Sequence, residues 1–377
     1  MSMKMEHLIE FSDLAAGEWE ELYRLYRDIR EHPTDYAETC RGKIMATLFY
    51  EPSTRTQLSF QAAMMRLGGK ILGFSDPDKS SVAKGESLRD TVKIVSSYTD
   101  LIVMRHPIEG AAAAAALYAG VPVINAGDGG HMHPTQTLTD LTTIYNEKGT
   151  LSGLAVGICG DLLNGRTVHS LLQALSSFSG NRFYMISTDY LRLPAEIKAM
   201  VRLSGSRIYE VKTLEECLKE LDILYMTRIQ KERFSSAAAY AREAGIYVLT
   251  GDKMKLAKKD MIILHPLPKV DEITPEVDED PRALYFRQAE NGMYIRMALI
   301  LKMCETGRKL SGYTVRETKL GTREEDERRC KNPRCITQYE KYLPALKKHM
   351  CGSDCCAYCG QVWPVADVSK NGNTREI

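Results

Sequence analysis

The sequence has almost no charge excess: 50 lysines and arginines nearly cancel 49 aspartates and glutamates among 377 residues. That balance argues against nucleic acid or a membrane surface as the main partner, since both select basic proteins. The N-terminus lacks an apolar signal core, and no uninterrupted apolar stretch approaches the roughly 20 residues of a membrane-spanning helix. Two nucleotide-binding signals are also missing. Gly157-x-x-Gly160 follows an apolar run but lacks G-x-G-x-x-G spacing, and Gly160-x4-Gly165 precedes Arg166-Thr167 where a P-loop needs Lys-Ser/Thr. No internal repeat is visible.

Cysteines are present but unevenly spread. Cys40, Cys159, Cys217 and Cys304 stand alone in apolar contexts, as buried thiols do in a reducing cytosol, so a cytoplasmic protein is expected. The other six of the ten crowd between Cys330 and Cys359. The length suits two α/β domains plus a small module. Apolar runs at 44–50, 101–104, 121–124, 154–159, 183–186, 223–226 and 261–264 alternate with helical patterns, which predicts βαβ units and parallel sheets. A Gly/His-rich break near 128–134 separates two such series. A helix over 134–145 is expected to link them, and another over 288–306 to follow the second. Six alanines at 111–116 read as a surface helix. The polar, charged stretch after residue 307 reads as a linker.

The strongest local signal is Glu51-Pro52-Ser53-Thr54-Arg55-Thr56, directly after the first apolar run and before a helical pattern. Free backbone N–H groups and the positive dipole end at such a helix start accept an anion. The hydroxyls and the guanidinium add donors, which suits phosphate. Polar groups recur after other predicted strands, where open α/β sheets bind ligands: Arg105, Asn125 to Gln136, Asp161 to Arg166, Arg228 to Gln230, and His265 to Pro268. Taken singly, Arg166 or Arg228 reads as a surface ion-pair residue and His133 as a helix cap. Jointly, Arg55, Arg105, Arg166 and Arg228 imply substrates with several negative charges.

Ser53-Thr54-Arg55-Thr56, Lys84-Gly85-Glu86, Met104-Arg105-His106-Pro107, His133-Pro134-Thr135-Gln136, Gly165-Arg166-Thr167-Val168 and His265-Pro266-Leu267-Pro268 occur in the order and spacing of one family. The chain, from about its first helix to about residue 306, resembles the aspartate carbamoyltransferase catalytic chain. Gln57, where arginine is common, and Lys269 are minor departures. The resemblance implies two doubly wound parallel-sheet domains (the carbamoyltransferase fold) and transfer of a carbamoyl group from carbamoyl phosphate to L-aspartate, an early step of pyrimidine synthesis. It implies that Ser53, Thr54, Arg55, Thr56 and Arg105 hold the phosphate. Thr56, Arg105 and His133 would point at the carbamoyl oxygen. Gln136 and the carbonyls around Pro266 and Leu267 would meet the carbamoyl nitrogen. Arg166, Arg228, Gln230 and Leu267 would bind aspartate. Ser80 (or Ser81) and Lys84 would reach a neighbouring subunit's site, implying a homotrimer. The step itself would need no cofactor. Ornithine-specific relatives carry cysteine where this chain has Pro266, so aspartate is the expected acceptor. A carbamoyltransferase for another amine and a non-catalytic scaffold are the alternatives.

Cys330-x4-Cys335 and Cys356-x2-Cys359 have the spacing of a structural zinc site, with Cys351 and Cys355 as extra candidates. A disulfide cluster and a nucleic-acid-gripping ribbon are the bland alternatives. The segment resembles the zinc-binding domain of the aspartate carbamoyltransferase regulatory chain, without the nucleotide-binding domain that precedes it there. The expected layout is a carbamoyl-phosphate-binding domain over 1–134 completed by helix 288–306, an aspartate-binding domain over 135–287, a linker over 307–328, a zinc ribbon over 329–368 and a tail over 369–377. Such a ribbon would either tie catalytic trimers together or stabilise its own chain.

Overall fold

Continuous apolar runs become central strands covered by helices on both faces, as parallel sheets require. The computed structural model describes residues 6–14, 17–307, 324–350 and 352–363. α1 (Glu18–Glu31) leads to β1 (Ile44–Phe49), α2 (Thr54–Arg66), β2 (Lys70–Phe74), α3 (Leu88–Tyr98), β3 (Leu101–His106), α4 (Ala111–Tyr118) and β4 (Val123–Asp128). Their strands form a parallel sheet in the order β2-β1-β3-β4. α5 (Pro134–Lys148) then opens a second series. It comprises β5 (Ala155–Cys159), α6 (Arg166–Leu175), β6 (Arg182–Ile186), α7 (Ala195–Leu203), β7 (Arg207–Val211) and β8 (Ile223–Met226), then α8 (Ala237–Glu243), α9 (Gly251–Met254) and β9 (Ile262–Leu264). These strands are parallel in the order β7-β6-β5-β8-β9. α10 (Tyr285–Gly307) packs against α1, α2 and α5.

The fold class is therefore two parallel-sheet α/β units, as expected. Two strands were not expected from the sequence, β2 and β7. Both are sheet edges without a fully buried residue: β2 is a short apolar stretch broken by Gly73, and β7 is interrupted by the charged Glu210. β3 and β4 also run on to His106 and Asp128, so Arg105 sits on a strand and not in the turn after it.

Strand order fixes where ligands fit. In the first sheet the winding reverses between β1 and β3, and in the second between β5 and β8. Crevices at such reversals open beyond the strands' C-terminal ends. Ser53 to Thr56 follow β1, Arg105 is the penultimate residue of β3, Arg166 follows β5 and Arg228 follows β8, so both crevices are lined with positive charge.

β10 (Glu324–Glu325), β11 (Leu346–Met350) and β12 (Ser353–Cys356) form a small antiparallel sheet. Most of the linker stretch, the tail 369–377 and Cys351 lie outside the described residues. The ribbon lies on the first sheet's side of the chain. Glu109, in the β3–α4 connection, exchanges backbone hydrogen bonds with the Arg334 carbonyl (3.1 Å) and the Ile336 amide (2.9 Å). Its carboxylate accepts from Asn332 Nδ2 at 2.8 Å and pairs with Arg334 Nε at 3.1 Å. Lys348 Nζ reaches Glu10 at 2.6 Å, and Glu340 accepts from the Leu88 amide at the start of α3 at 2.9 Å.

This docking corrects the reading of α4. Ala111 to Ala116 are buried, packed in one apolar cluster with Ile336, Leu343, Tyr358 and Trp363 of the ribbon. An alanine run has no polar face and no amphipathic stripe, so periodicity could not reveal that both its sides are covered. Gly110, at the start of the helix, has φ 82°, and a Cβ there would lie 2.6 Å from Tyr358 Cβ.

Gly110→Ala is accordingly expected to lower stability by about 1–3 kcal/mol and expose the ribbon to protease. Gly149→Ala is the control, with positive φ but no atom within 4 Å of the added methyl. Equal effects of the two substitutions in thermal melts would show that backbone strain, not ribbon contact, is responsible.

Candidate active site

The two crevices merge into one cleft of about 850 Å³. Ser53 occupies the N-cap of α2 but makes no side-chain capping bond, and Thr54, Arg55 and Thr56 form the first turn. The donors of this helix start are thus directed by the fold toward the cleft they line. Burial, then the nearby Arg228, lowers the pKa of Arg55. Arg105 is buried at the end of β3, donates from Nη1 to the Ala126 carbonyl at 3.3 Å, and lies below the ordinary arginine range because of burial and then Arg166.

Glu51, at the end of β1, holds these cations together. Its Oε2 is 3.2 Å from Arg105 Nε and 3.4 Å from Arg166 Nη1, and Arg166 also donates to the Gly129 carbonyl at 2.5 Å. One carboxylate therefore pairs with an arginine from each α/β unit. Arg228, Gln230 and Arg233 also line the cleft.

His133 lies between the cations at the N-cap of α5. Its amide donates to Ser170 Oγ at 3.1 Å, and Thr135 Oγ1 is 3.4 Å from Nδ1. Burial, followed by Arg105, Arg166 and Arg296, holds its pKa well below that of ordinary histidine. It is a neutral imidazole that can donate one hydrogen bond without adding charge.

The loop after β9 is shaped by its own histidine. The Leu267 amide donates to His265 Nδ1 at 2.7 Å, so the neutral ring carries its proton on Nε2 and gives it to Glu272 Oε1, also at 2.7 Å. Glu272 Oε2 accepts the Val270 and Asp271 amides at 3.1 and 3.2 Å. Leu267 is held at φ 55°, the one non-glycine residue with positive φ among the described residues. A strained residue on a cleft wall is a mark of a functional loop.

The family descriptions "Aspartate/ornithine carbamoyltransferase, carbamoyl-P binding domain" and "Asp/Orn binding domain" match residues 6–146 and 152–303 respectively. The aspartate carbamoyltransferase catalytic subunit of Clostridium perfringens is 57% identical over 302 residues, covering 80% of this chain and 98% of the relative. This chain belongs to the aspartate carbamoyltransferase family. A Clostridium botulinum (strain Eklund 17B) catalytic subunit is 58% identical over the same shares. Among solved structures, the M. jannaschii catalytic subunit aligns with TM-score 0.76 and 46% identity, covering 81% of this chain and all (100%) of that one. The Trypanosoma cruzi enzyme, solved with N-(phosphonacetyl)-L-aspartic acid, aligns with TM-score 0.75 and 37% identity, covering 80% of this chain and 97% of its own. It has also been solved with carbamoyl phosphate and aspartate together.

Of the residues that the family resemblance picks out, Ser53, Thr54, Arg55, Thr56, Arg105, His133, Gln136, Arg166, Arg228, Gln230, Pro266 and Leu267 line the cleft. Ser80 and Lys84 do not: they sit on 3-10 turns between β2 and α3, away from this chain's own cleft. Sequence reading missed the roles of Glu51, Arg233, Asp140, Gln288 and Arg296. Asp140 was legible in principle, one helical turn after Gln136. Gln288 and Arg296 had no local signal, since α10 returns from far along the chain.

The matched stretches stop before the ribbon. There, Sγ atoms of Cys330, Cys335, Cys356 and Cys359 lie within 4.8 Å of one another, with Cys330–Cys359 at 3.7 Å and Cys335–Cys356 at 3.9 Å. Four thiolates about 2.3 Å from a central ion have S–S edges of about 3.8 Å, so this set fits a tetrahedral metal ion. Asn332 Nδ2 and Thr337 Oγ1 donate to the sulfurs of Cys359 and Cys335 at 3.5 and 3.3 Å. Cys355 turns away and bonds the Lys348 carbonyl at 3.2 Å. None of the described cysteines is in a disulfide.

Because the folded protein protonates His133 less readily than an unfolded chain would, this residue's contribution to stability is lost as pH falls below about 6.5. Its NMR resonances should keep their neutral positions down to about pH 6. Titration at the ordinary histidine value would exclude a neutral donor between the arginines.

Proposed function

We infer that this chain transfers the carbamoyl group of carbamoyl phosphate to the amino group of L-aspartate, giving N-carbamoyl-L-aspartate and phosphate. The single observation that carries this reading is the cleft itself, lined together by the donor-rich start of α2, by Arg105, Arg166 and Arg228, and by one neutral histidine. The analogue bound in the T. cruzi relative, with a phosphonate at one end and a dicarboxylate at the other, has the matching distribution of charge.

Ser53, Thr54, Arg55, Thr56 and Arg105 hold the phosphate, while Arg166, Arg228 and Gln230 hold the aspartate carboxylates. The nucleophile is the substrate's amine, so no protein nucleophile is needed. Its attack forms a C–N bond and a tetrahedral oxyanion that accepts from Thr56, Arg105 and His133, each donor worth roughly 3–4 kcal/mol in comparable sites. Alignment of amine and carbonyl supplies a proximity gain that reaches about 7–11 kcal/mol. The C–O bond to phosphate then breaks, the leaving group's charge stays neutralised by Arg55 and Arg105, and the departing phosphate takes the amine proton. A cationic acceptor such as ornithine would meet Arg166 and Arg228 as like charges.

Ser80 and Lys84 complete the site of a neighbouring copy, which makes a homotrimer the working assembly. Their position away from this chain's own cleft, with Lys84 exposed and Ser80 half-buried, supports that reading. The four-cysteine set holds structural Zn²⁺, and the segment is a regulatory-chain-like ribbon joined to the catalytic chain. The ion would shape the knuckle 330–335, from which Asn332 and Arg334 grip Glu109. A cytoplasmic setting agrees with the absence of disulfides among the described residues.

Arg55→Ala should lower turnover by about two orders of magnitude or more while circular dichroism and melting stay near wild type. Near-normal formation of carbamoyl aspartate by that variant would reject the site assignment. Elemental analysis should find one zinc per chain, and chelation should make the ribbon protease-sensitive while the catalytic core keeps its melting transition. A metal-free purified chain with a protected ribbon would reject the zinc reading.

A further inference from the structure

Asp140 is wholly buried on α5 and plays no part in the mechanism above. Three donors converge on it: Gln136 Nε2 and Gln288 Nε2 reach Oδ1 at 2.7 and 2.6 Å, and Tyr225 O–H reaches Oδ2 at 3.0 Å. An ionised carboxylate only accepts hydrogen bonds. Each glutamine must therefore offer its NH₂ to Asp140 and keep its carbonyl oxygen for something else. For Gln288 that second partner is visible, since Oε1 accepts the His265 amide at 2.9 Å and so ties down the start of the loop bearing Leu267. For Gln136, which lines the cleft, the same rule leaves Oε1 as the atom available to a ligand.

We propose that Asp140 is a positioning residue that makes the cleft select an acyl phosphate ending in NH₂ over one ending in a methyl group. It does so by fixing Gln136 as an acceptor and, through Gln288, by steadying the His265–Leu267 loop. This rests on the reading above, in which Gln136 and that loop meet the carbamoyl nitrogen. With Gln136 held this way, a carbamoyl NH₂ finds an acceptor, whereas the methyl of acetyl phosphate leaves that oxygen desolvated and unpaired. If the amide could turn over, it would present NH₂ to the ligand and the distinction would weaken. A purely structural Asp140 would lower stability when replaced but would leave this preference untouched.

The test is calorimetric titration of the full chain with carbamoyl phosphate, acetyl phosphate and inorganic phosphate, for wild type, Asp140→Ala and Asp140→Ser. Mildly alkaline buffer keeps the carboxyl ionised, because burial pushes it up to about 7. The serine variant fits the site and its hydroxyl can donate or accept, so it no longer dictates amide orientation if the alanine variant fails to fold. The carbamoyl-over-acetyl preference should fall about tenfold or more in either folded variant, with inorganic phosphate affinity within about twofold of wild type. A folded variant that keeps the wild-type preference overturns the role of Asp140 alone. Absence of that preference in the wild type would instead remove the placement of Gln136 on which the proposal stands, and absence of carbamoyl aspartate formation would remove the functional reading.

Discussion

Six arginines line one cleft: Arg55, Arg105, Arg166, Arg228, Arg233 and Arg296. So many like charges in a partly buried space repel one another, and burial raises the cost of each. Nearly every other feature of the site answers this constraint. Glu51 pairs with two of the cations, and His133 is kept uncharged by its burial and then by the same field that makes the cleft attractive to a dianion. The electrostatic cost is met by the rest of the fold and is relieved when anionic substrates arrive. That makes the charge useful for catalysis: it is already in place where a developing oxyanion and a departing phosphate need it.

The second constraint is that these charges come from two separately wound sheets. Each sheet alone supplies half a site at its own winding reversal. Glu51 reaching Arg166, and α10 packing back on α1, α2 and α5, hold the halves face to face. Asp140 belongs to the same class of device, since one buried carboxylate joins side chains of α5, β8 and α10. The ribbon stays clear of the cleft but grips Glu109, four residues after Arg105, so its docking bears on the connection that leaves β3.

Much of this was legible from residue order. The central strands announce themselves as apolar runs, the donor-rich helix start that lines the cleft as Ser53 to Thr56 after one of them, and the metal-ligand candidates as two close cysteine pairs. The edge strands β2 and β7 were not legible, because β2 is a short apolar stretch broken by Gly73 and β7 is interrupted by Glu210, as edge positions that bury no residue fully allow. Nor was the burial of Ala111 to Ala116, since a stretch of methyl groups looks the same under solvent as under a docked ribbon.

The sequence by itself determined which chemical groups the chain can offer: guanidinium forks after strand ends, a histidine before a helix-starting proline, and thiols at zinc-site spacing. Those are properties of residue type and local conformation, so short-range pattern is enough to read them. Only the tertiary structure decided which groups act together and in what state. Glu51 beside Arg166, His133 neutral, the glutamine amides turned by Asp140, and Ser80 and Lys84 left outside their own cleft all depend on distances between remote segments. Burial and through-space charge set those properties, and neither is a function of neighbouring residues along the chain.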